Sequence, residues 1–360
     1  MRVIVLFCLI TFLACDVFFG VNTKGANYEY FYPVSMMEHD NDEYITVWNY
    51  IDTKISGYPS LYVIMTDGSG GKIWSRKLLD GKSTDMIKTI NGEYLITGSE
   101  YSSNFLTLSK LDKNFNLIWK SKYVSNSFHD YYHEATKLIE TDDKGFIVLG
   151  YNSRHTHIFS KVNGLILKCN INGEVIKELV LEWIPTDIIK SHDSQGYIVI
   201  GENNFIKITD EIDIVLKQTF SHLILLINYS NLGYKTIGVK KIDDSSHEVH
   251  ITEINVEGEI ISSKRITSVN DENMFNILKG VQYEEDIFII ANDNRTETPL
   301  ISAYMIDLNG NYKWKRIFEN SQTAAIKYLD NKNYALLLEG LRFFKLSNSG
   351  DILFEKIIDK

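Results

Sequence analysis

Short apolar runs separated by polar turn residues recur along the chain, and the clearest unit spans residues 85–123. It contains four runs of strand length, at 85–90, 93–98, 105–111 and 116–123. Asn91-Gly92 lies between the first two runs and is a two-residue turn that favours positive φ, which is a strong hairpin signal. No run has the length or the 3.6-residue period of a helix. The unit therefore predicts a four-stranded antiparallel sheet.

The unit recurs seven times, and its second strand shows this best. The copies share a short apolar core next to turn residues, and they begin at Asp42, Gly92, Lys144, Gln195, Leu232, Glu285 and Lys332. Their spacing is mostly about fifty residues, as is typical of propeller blades. A single four-stranded sheet cannot bury both faces, whereas radial stacking of like sheets covers them. We therefore predict an all-β fold, a seven-bladed β-propeller of four-stranded antiparallel blades that forms one domain over residues 28–360.

A large aromatic side chain recurs near the start of the fourth strand. Four copies carry Trp74, Trp119, Trp314 or Phe354 there, and the other three carry Lys177, Leu216 or Ser262. A ring on an outer strand can pack between adjacent blades, and its burial would contribute roughly 2–3 kcal/mol. We interpret these aromatic residues as structural contacts between blades, not as part of a cofactor site.

Two short motifs carry a resemblance to a known family. The pattern Gly98-Ser99, Lys110-Leu111-Asp112 and Trp119 resembles the PQQ-like, quinoprotein-type propeller repeat, and the segment from Asp67 to Trp74 is similar to the tryptophan-docking turn of that superfamily. The resemblance implies the propeller fold. The family includes alcohol and glucose dehydrogenases as well as non-enzymatic scaffold lipoproteins of the bacterial outer membrane. Its quinone-binding members carry an adjacent cysteine pair that this chain lacks, so no catalytic residue is carried over.

The first residues predict a secretory signal. Arg2 precedes an apolar run from Val3 to Ala14 that is interrupted only by Thr11, and this run is short for a membrane span. We expect a signal peptide over residues 1–22. Phe12-Leu13-Ala14-Cys15 resembles a bacterial lipobox, so lipidation at Cys15 and membrane anchoring are one outcome. The alternative is cleavage between Gly20 and Ala26 and release. Both outcomes predict a secreted or extracytoplasmic protein.

Charge and cysteine content exclude several function classes. The formal net charge of the 360 residues is -10, so nucleic acid, which is usually bound by a basic patch, is not an expected partner. Of the 3 cysteines, Cys8 and Cys15 lie in the leader and Cys169 stands alone in the remaining chain. This arrangement predicts no disulfide framework and no zinc site. We expect a monomer without a cofactor or metal, with membrane contact only through a lipid anchor.

Two clusters of polar and aromatic residues are the candidate ligand-binding positions. They are His129, Asp130, Tyr131, Tyr132 and His133 between blades two and three, and Arg154, His155 and His157 in an internal loop of blade three that we expect to span residues 152–163. The connection between two blades and the internal loop of blade three emerge on the same face of a propeller. The two clusters should therefore converge near one end of the channel. His155 and His157 would fall on one side of an extended segment, as two metal ligands could. The competing interpretation is a solvated polar loop.

These features favour one function over two others. We expect a secreted or surface-anchored, non-enzymatic binding or scaffold module whose loop-bearing face takes a protein or glycan partner. The signal, the acidic surface and the lack of a compact catalytic motif motivate this prediction. An extracellular enzyme (a hydrolase, a lyase or a degenerate quinoprotein) with its site at the channel mouth is the alternative. A purely structural envelope scaffold is a third.

Overall fold

The computed structural model describes most of the chain after residue 28. The described residues are 29–39, 42–53, 58–100, 105–124, 132–155, 160–191, 195–220, 225–230, 233–241, 247–266, 276–293, 300–319, 321, 324–329 and 333–358. Within these ranges no helix is long and apolar enough to cross a membrane.

All regular structure in the described chain is β-strand, arranged as seven four-stranded sheets. Blades 1 to 4 comprise β1 Glu29–His39, β2 Glu43–Asp52, β3 Pro59–Thr66, β4 Lys72–Asp80; β5 Lys82–Lys88, β6 Tyr94–Glu100, β7 Phe105–Leu111, β8 Leu117–Tyr123; β9 Tyr132–Glu140, β10 Phe146–His155, β11 Ser160–Cys169, β12 Val175–Leu181; β13 Asp187–Lys190, β14 Tyr197–Gly201, β15 Asn204–Ile208, β16 Ile214–Thr219. Blades 5 to 7 comprise β17 Leu225–Ser230, β18 Gly233–Lys241, β19 His247–Asn255, β20 Ile260–Arg265; β21 Asn276–Tyr283, β22 Asp286–Asp293, β23 Leu300–Asp307, β24 Tyr312–Glu319; β25 Ala324–Tyr328, β26 Tyr334–Leu338, β27 Arg342–Leu346, β28 Ile352–Ile357.

Each blade is built from four consecutive strands that pair in antiparallel order. The first strands of the blades contact one another in cyclic order, and β25 contacts β1, so the seven blades form a closed ring. The seven-bladed β-propeller predicted from the sequence is confirmed. Within the described residues no strand is exchanged between the first and last blades. The ring is closed by side-chain packing, together with a backbone hydrogen bond from the Gly340 amide to the Phe31 carbonyl at 3.3 Å.

The core lies in the layers between blades. The second strand of blade 4 is buried at every position, which a sheet covered on both faces requires. Apolar clusters fill the interfaces, and the one at the closure joins Trp48 of blade 1 to Leu337 and Phe343 of blade 7. Aliphatic and aromatic side chains buried on this scale supply the main favourable free energy of folding.

The turn between the third and fourth strands has the same geometry in all seven blades. In blade 1 the Asp67 amide donates to the Gly71 carbonyl at 2.8 Å and the Gly70 amide donates to the Asp67 carbonyl at 2.9 Å. The residue equivalent to Gly70 has φ between +53° and +85° in every blade, and the set is Gly70, Phe115, Gly173, Ile212, Gly258, Gly310 and Gly350. The Asp67 carboxylate accepts the amides of Ser69 and Gly71, which identifies this aspartate as a turn residue.

Aromatic side chains of one blade pack on this turn in the next blade, as predicted. A Cβ added to Gly173 would lie 2.4 Å from the Trp119 ring, and one added to Gly350 would lie 2.5 Å from the Trp314 ring. The Trp74 ring contacts Phe115 with the ring centroids 5.2 Å apart. We call such contacts blade staples: a side chain of one blade seated on the third-to-fourth-strand turn of the next.

Two blade interfaces without an aromatic staple use a buried lysine instead. Lys168 in blade 3 is 2% exposed, and its Nζ donates to the Asp210 carbonyl of the blade 4 turn at 2.7 Å. Lys235 in blade 5 reaches the Leu308 carbonyl of the blade 6 turn at 2.8 Å. Between blades 4 and 5 the staple is Leu216 against Gly258. The exceptions in the sequence repeat therefore keep the contact and change its chemistry.

The two faces of the ring differ. The turns that join strands one to two and three to four emerge on one face, which we call the turn face. The remaining connections emerge on the opposite face, which we call the loop face. Their length varies widely, because Gly81 alone separates β4 from β5 while residues 266–275 separate β20 from β21. This asymmetry sets the loop face apart as the variable surface of the propeller.

Replacing Gly173 by Ala should destabilise the protein more than replacing Gly92 by Ala. Both glycines have φ of +77°, so both substitutions cost about 1–2 kcal/mol in backbone strain. A Cβ at Gly92 meets nothing within 4 Å, whereas a Cβ at Gly173 collides with the Trp119 ring. We expect an additional loss of about 1–3 kcal/mol for Gly173→Ala, measured by urea unfolding.

The double variant Trp119→Ala with Gly173→Ala separates collision from backbone strain. In the Trp119→Ala background the cost of Gly173→Ala should fall towards that of Gly92→Ala, because only the Ser121 hydroxyl, 3.0 Å from the added Cβ, remains close. An undiminished cost in that background would show that Trp119 does not seat on this turn.

Candidate functional site

The structure describes only part of the two predicted clusters. His129, Asp130, Tyr131 and His157 lie outside the described residues. Tyr132 and His133 lie at the start of β9. Arg154 and His155 end β10, where only their backbone is described. Cys15, the predicted lipidation position, also lies outside the described residues.

The hairpin that carries Arg154 and His155 has longer strands than expected. Residues 152–163 were expected to form a loop, but β10 and β11 remain paired as far as His155 opposite Ser160. The side chains of the Asn152–Asn163 pair hydrogen-bond to each other at 2.9 Å, which extends the ladder beyond its apolar part. The connection itself is confined to residues 156–159.

The two predicted segments lie on neighbouring strands of blade 3, at the loop face. His133 of β9 pairs with Asn152 of β10, so the backbone of His155 lies three residues further along β10. His133 is fully buried, and its ring packs edge-on against Tyr123 with the centroids 6.2 Å apart. His133 therefore faces the interior of the interface between blades 2 and 3. A ligand-binding role for this group of residues stays a prediction.

Tyr132 belongs to a polar network that we call the mouth cluster, which comprises Lys82, Ser99, Tyr132, Glu134 and Tyr151. Glu134 is its centre: the Lys82 Nζ lies 2.5 Å from Oε1, and the Tyr151 hydroxyl donates to Oε2 at 2.8 Å. The Tyr132 hydroxyl reaches the same oxygen at 3.3 Å and the Ser99 hydroxyl at 3.1 Å. The cluster joins blades 2 and 3 near the loop-face end of the channel.

Burial and negative charge shape this end of the channel. Burial and the Glu134 charge both raise the pKa of Tyr132, so the phenol stays a neutral donor. Tyr32 of blade 1 occupies the strand position equivalent to Lys82 and Glu134, and burial and Glu339 raise its pKa as well. In blade 4, burial raises the pKa of Glu202. The loop-face mouth therefore carries tyrosines and carboxyl groups, of which Glu134 is paired with Lys82.

A second polar set lies deeper, at the middle of the channel. In each of the seven blades, one residue of the first strand pairs with the same position of the second strand. We call this set the channel girdle, and it consists of Ser35, Asp85, Lys137, Asp187, Leu225, Lys279 and Ala325. It carries two carboxylates and two ammonium groups at one level of the ring.

The girdle side chains connect blades through backbone groups at the channel edge of the first strands. Asp85 of blade 2 accepts the Leu138 amide of blade 3 at 3.1 Å. The Lys279 Nζ of blade 6 donates to the Val34 carbonyl of blade 1 at 2.8 Å. First strands leave one edge without a strand partner, so these bonds satisfy backbone groups that the sheet cannot.

The two girdle lysines have different electrostatic environments. Lys137 lies 3.7 Å from an Asp187 oxygen, and Asp187 and Asp85 together raise its pKa. Burial, and secondarily the charge of Lys137, lower the pKa of Lys279 to about 8. Lys137 thus has two carboxylates beside it. Lys279 makes no ion pair with the described residues, and the charge of Asp85 only partly offsets the effects of burial and of Lys137 on its pKa.

The sequence did not single out the mouth cluster or the girdle. Lys82, Glu134 and Lys137 are ordinary charged residues in short strands, and their shared position emerges only once the blades are aligned through their pairing. Among the residues that the structure describes, no three His, Cys, Asp or Glu side chains are placed to hold a metal ion. The mouth cluster and the channel girdle place hydrogen-bonding and charged groups near the axis of the ring.

No protein-family model and no curated protein sequence matches the chain. Solved structures do match. Acylaminoacyl peptidase from Pyrococcus horikoshii aligns over 90% of this chain and 52% of its own length, with 10% identity and a TM-score of 0.53. This chain therefore corresponds to about half of the peptidase.

Two further structures match along nearly their whole length. BBS1N in complex with ARL6DN aligns over 91% of this chain and 92% of its own, with 12% identity and a TM-score of 0.51. BamB from Moraxella catarrhalis aligns over 91% and 92%, with 11% identity and a TM-score of 0.47. Such identities show a shared fold alone, and at that level the predicted β-propeller is confirmed.

The lowered pKa of Lys279 predicts how its contribution to stability changes with pH. The folded protein releases this proton near pH 8, whereas the unfolded chain holds it to about 10.5. Between these values the unfolded state binds more protons, so the Lys279 contribution becomes more favourable as pH rises. The free energy of unfolding of wild type should therefore rise relative to that of Lys279→Met over this window.

Chemical unfolding of both proteins at several pH values measures this difference. Groups that titrate in both proteins, such as Tyr32 and Tyr132, cancel in the comparison. Parallel stability curves for the two proteins would show that Lys279 keeps its ordinary pKa in the fold.

Proposed function

We propose that this chain is a secreted or surface-anchored, non-enzymatic propeller module that binds a protein partner through its loop face. The observation that carries the proposal is the difference between the two faces of the ring. The third-to-fourth-strand turns of the turn face repeat one geometry and seat blade staples. These turns hold neighbouring blades together, whereas the connections of the loop face vary in length and chemistry from blade to blade.

The chemistry of the loop-face mouth supports protein recognition. Tyr132 and Tyr151 are anchored on Glu134, and Tyr32 lies at an equivalent level in blade 1. Tyrosine offers a large apolar ring and a polar tip with little rotamer freedom to lose, and it is enriched in protein interfaces.

The similarity to BBS1N gives independent support. That protein was solved in complex with ARL6DN, and the alignment covers 91% of this chain and 92% of BBS1N. A propeller of this size can therefore serve as a protein-binding surface. The leader sequence supports export, with Cys15 as the attachment point of an anchor.

Site-specific photocrosslinking tests the choice of face. Tyr58 lies in the connection after β2 on the loop face and is 53% exposed. Ile90 lies in the turn after β5 on the turn face and is 84% exposed. With benzoylphenylalanine at each position in turn, we expect one defined protein partner to be crosslinked in the host from position 58 and not from position 90.

The outcome distinguishes three cases. Crosslinking of the same partner from position 90 alone would place binding on the wrong face and contradict the proposal. Equal crosslinking of many proteins from both positions would indicate non-specific contact and would also contradict it. A glycan partner would leave no protein adduct at either position.

Metabolic labelling with a radioactive fatty acid tests anchoring. We expect label on the wild-type protein and none on Cys15→Ser, together with a shift of the variant from the membrane to the soluble fraction. An unlabelled wild-type protein in the medium would instead support cleavage between Gly20 and Ala26.

A further inference from the structure

A cavity of about 260 Å³, which we call the outer cavity, opens at the outer surface between blades 2 and 3. Its inner wall is apolar and consists of side chains that are at most 3% exposed, Leu106, Leu108, Val148, Leu167 and Cys169. Its rim carries the exposed residues Lys122 and Glu174. The volume exceeds the roughly 150 Å³ of an apolar protein cavity that holds benzene. The outer cavity therefore has room for a small organic molecule.

The outer cavity is open because Ser121 is short. Ser121 pairs with Leu108, and the equivalent residue of the fourth strand is longer in every other blade: Arg76, Leu179, Gln218, Lys264, Arg316 and Lys356. Two of these side chains reach over the turn of the next blade, since Arg76 donates to the Asn116 side chain at 3.3 Å and Arg316 to the Asp351 carboxylate at 3.3 Å. Ser121 is too short for such a contact.

Cys169, which forms part of the inner wall, is also smaller than most of its equivalents. The last residue of the third strand is Leu111, Ile208, Ile254, Ile306 or Leu346 in five other blades and Thr66 in blade 1. Where Thr66 is the small residue, the facing blade supplies the long Lys356. Only between blades 2 and 3 do a short outer residue and a short inner residue face each other.

The chemistry of the outer cavity favours a neutral ligand. Burial raises the pKa of the Cys169 thiol to about 12, so the thiol carries no charge. Both rim charges are engaged, because the Lys122 Nζ lies 2.6 Å from a Glu100 oxygen and Glu174 accepts the Asn170 side-chain amide at 2.7 Å. The described residues make no hydrogen bond to the Ser121 hydroxyl, which lines the outer cavity beside Gly173.

The gap between these two blades accommodates a flat ring. The Trp119 ring of blade 2 lies in the same interface, with its centroid 6.2 Å from that of the Phe146 ring of blade 3. Trp119 also seats on Gly173, which lines the outer cavity, so the cavity continues the space that the blade staple occupies. An aromatic ring in the cavity would pack on aliphatic side chains of both blades.

We propose that the outer cavity binds a small neutral aromatic molecule with one hydrogen-bonding group, of which phenol is the simplest example. Its ring packs between Leu108 and Leu167, and its polar group forms a hydrogen bond with the Ser121 hydroxyl. Apolar walls with one or a few placed polar groups are typical of small-molecule sites. The inference concerns the outer surface between blades 2 and 3 and is independent of what binds at the loop face.

The ¹⁹F resonance of 4-fluorophenol is the probe for the test, with the full-length protein at neutral pH. We expect wild type to broaden the resonance and unlabelled phenol to reverse the broadening. The affinity should fall by at least about tenfold in Cys169→Leu, which fills the inner wall, and in Ser121→Arg, which covers the opening. Both variants introduce a residue that other blades carry at the equivalent position, so we expect them to fold.

Two comparisons make the test specific. Gln218→Arg places the same new side chain at the equivalent position between blades 4 and 5, and it should bind as wild type does. We expect 4-fluorotoluene, which lacks the hydroxyl, to bind wild type about three- to tenfold more weakly than 4-fluorophenol, as the loss of one hydrogen bond predicts. This difference should disappear in Ser121→Ala.

Several results would overturn the proposal. Wild-type protein that leaves the resonance sharp has no such site. Equal affinity of wild type and Cys169→Leu would place the phenol elsewhere, and an equal loss in Gln218→Arg and Ser121→Arg would show a non-specific effect of charge. Equal binding of 4-fluorotoluene and 4-fluorophenol to wild type would contradict the role of Ser121. The unfolding transition checks the fold of each variant, and Ser121→Arg tests the site independently if Cys169→Leu does not fold.

Discussion

The middle strands of the blades are buried on both faces, and only a neighbouring blade on each side can cover them. This constraint explains why the chain repeats one unit, why the units stack radially and why the stack must close. A strand such as β14, buried at all its positions, has no stable place in an isolated sheet. The closure depends on the same packing as every other interface, since Trp48 and Phe343 meet across it without a shared strand.

The blade staples show how a repeat can diverge while its geometry persists. The turn that receives each staple keeps its hydrogen bonds and its positive φ even where glycine is replaced by Phe115 or Ile212. The staple itself changes from tryptophan to leucine to a buried lysine that donates to a turn carbonyl. Burying an ammonium group is costly unless it is paired, and Lys168 meets this condition through Asp143 and Glu211.

The sequence predicted the features that repeat and missed those that do not. Strand alternation, the Asn91-Gly92 turn and the recurring tryptophans each have a local signature, so the blade count and the staples followed from them. The girdle has no such signature, because Asp85, Lys137 and Lys279 share a position only through strand pairing and a bulge in each first strand. The length of the β10–β11 hairpin was underestimated because polar residues such as Asn152 and Asn163 extend its ladder.

Packing without an exchanged strand closes this ring as firmly as packing joins any other pair of blades. Native-state hydrogen exchange tests this most directly, by comparing the amides of β2 and β26, next to the closure, with those of β10 in blade 3. We expect all three strands to exchange through openings of similar free energy, close to that of global unfolding. Exchange of β2 and β26 through a separate opening of much lower free energy, with β10 still protected, would contradict it.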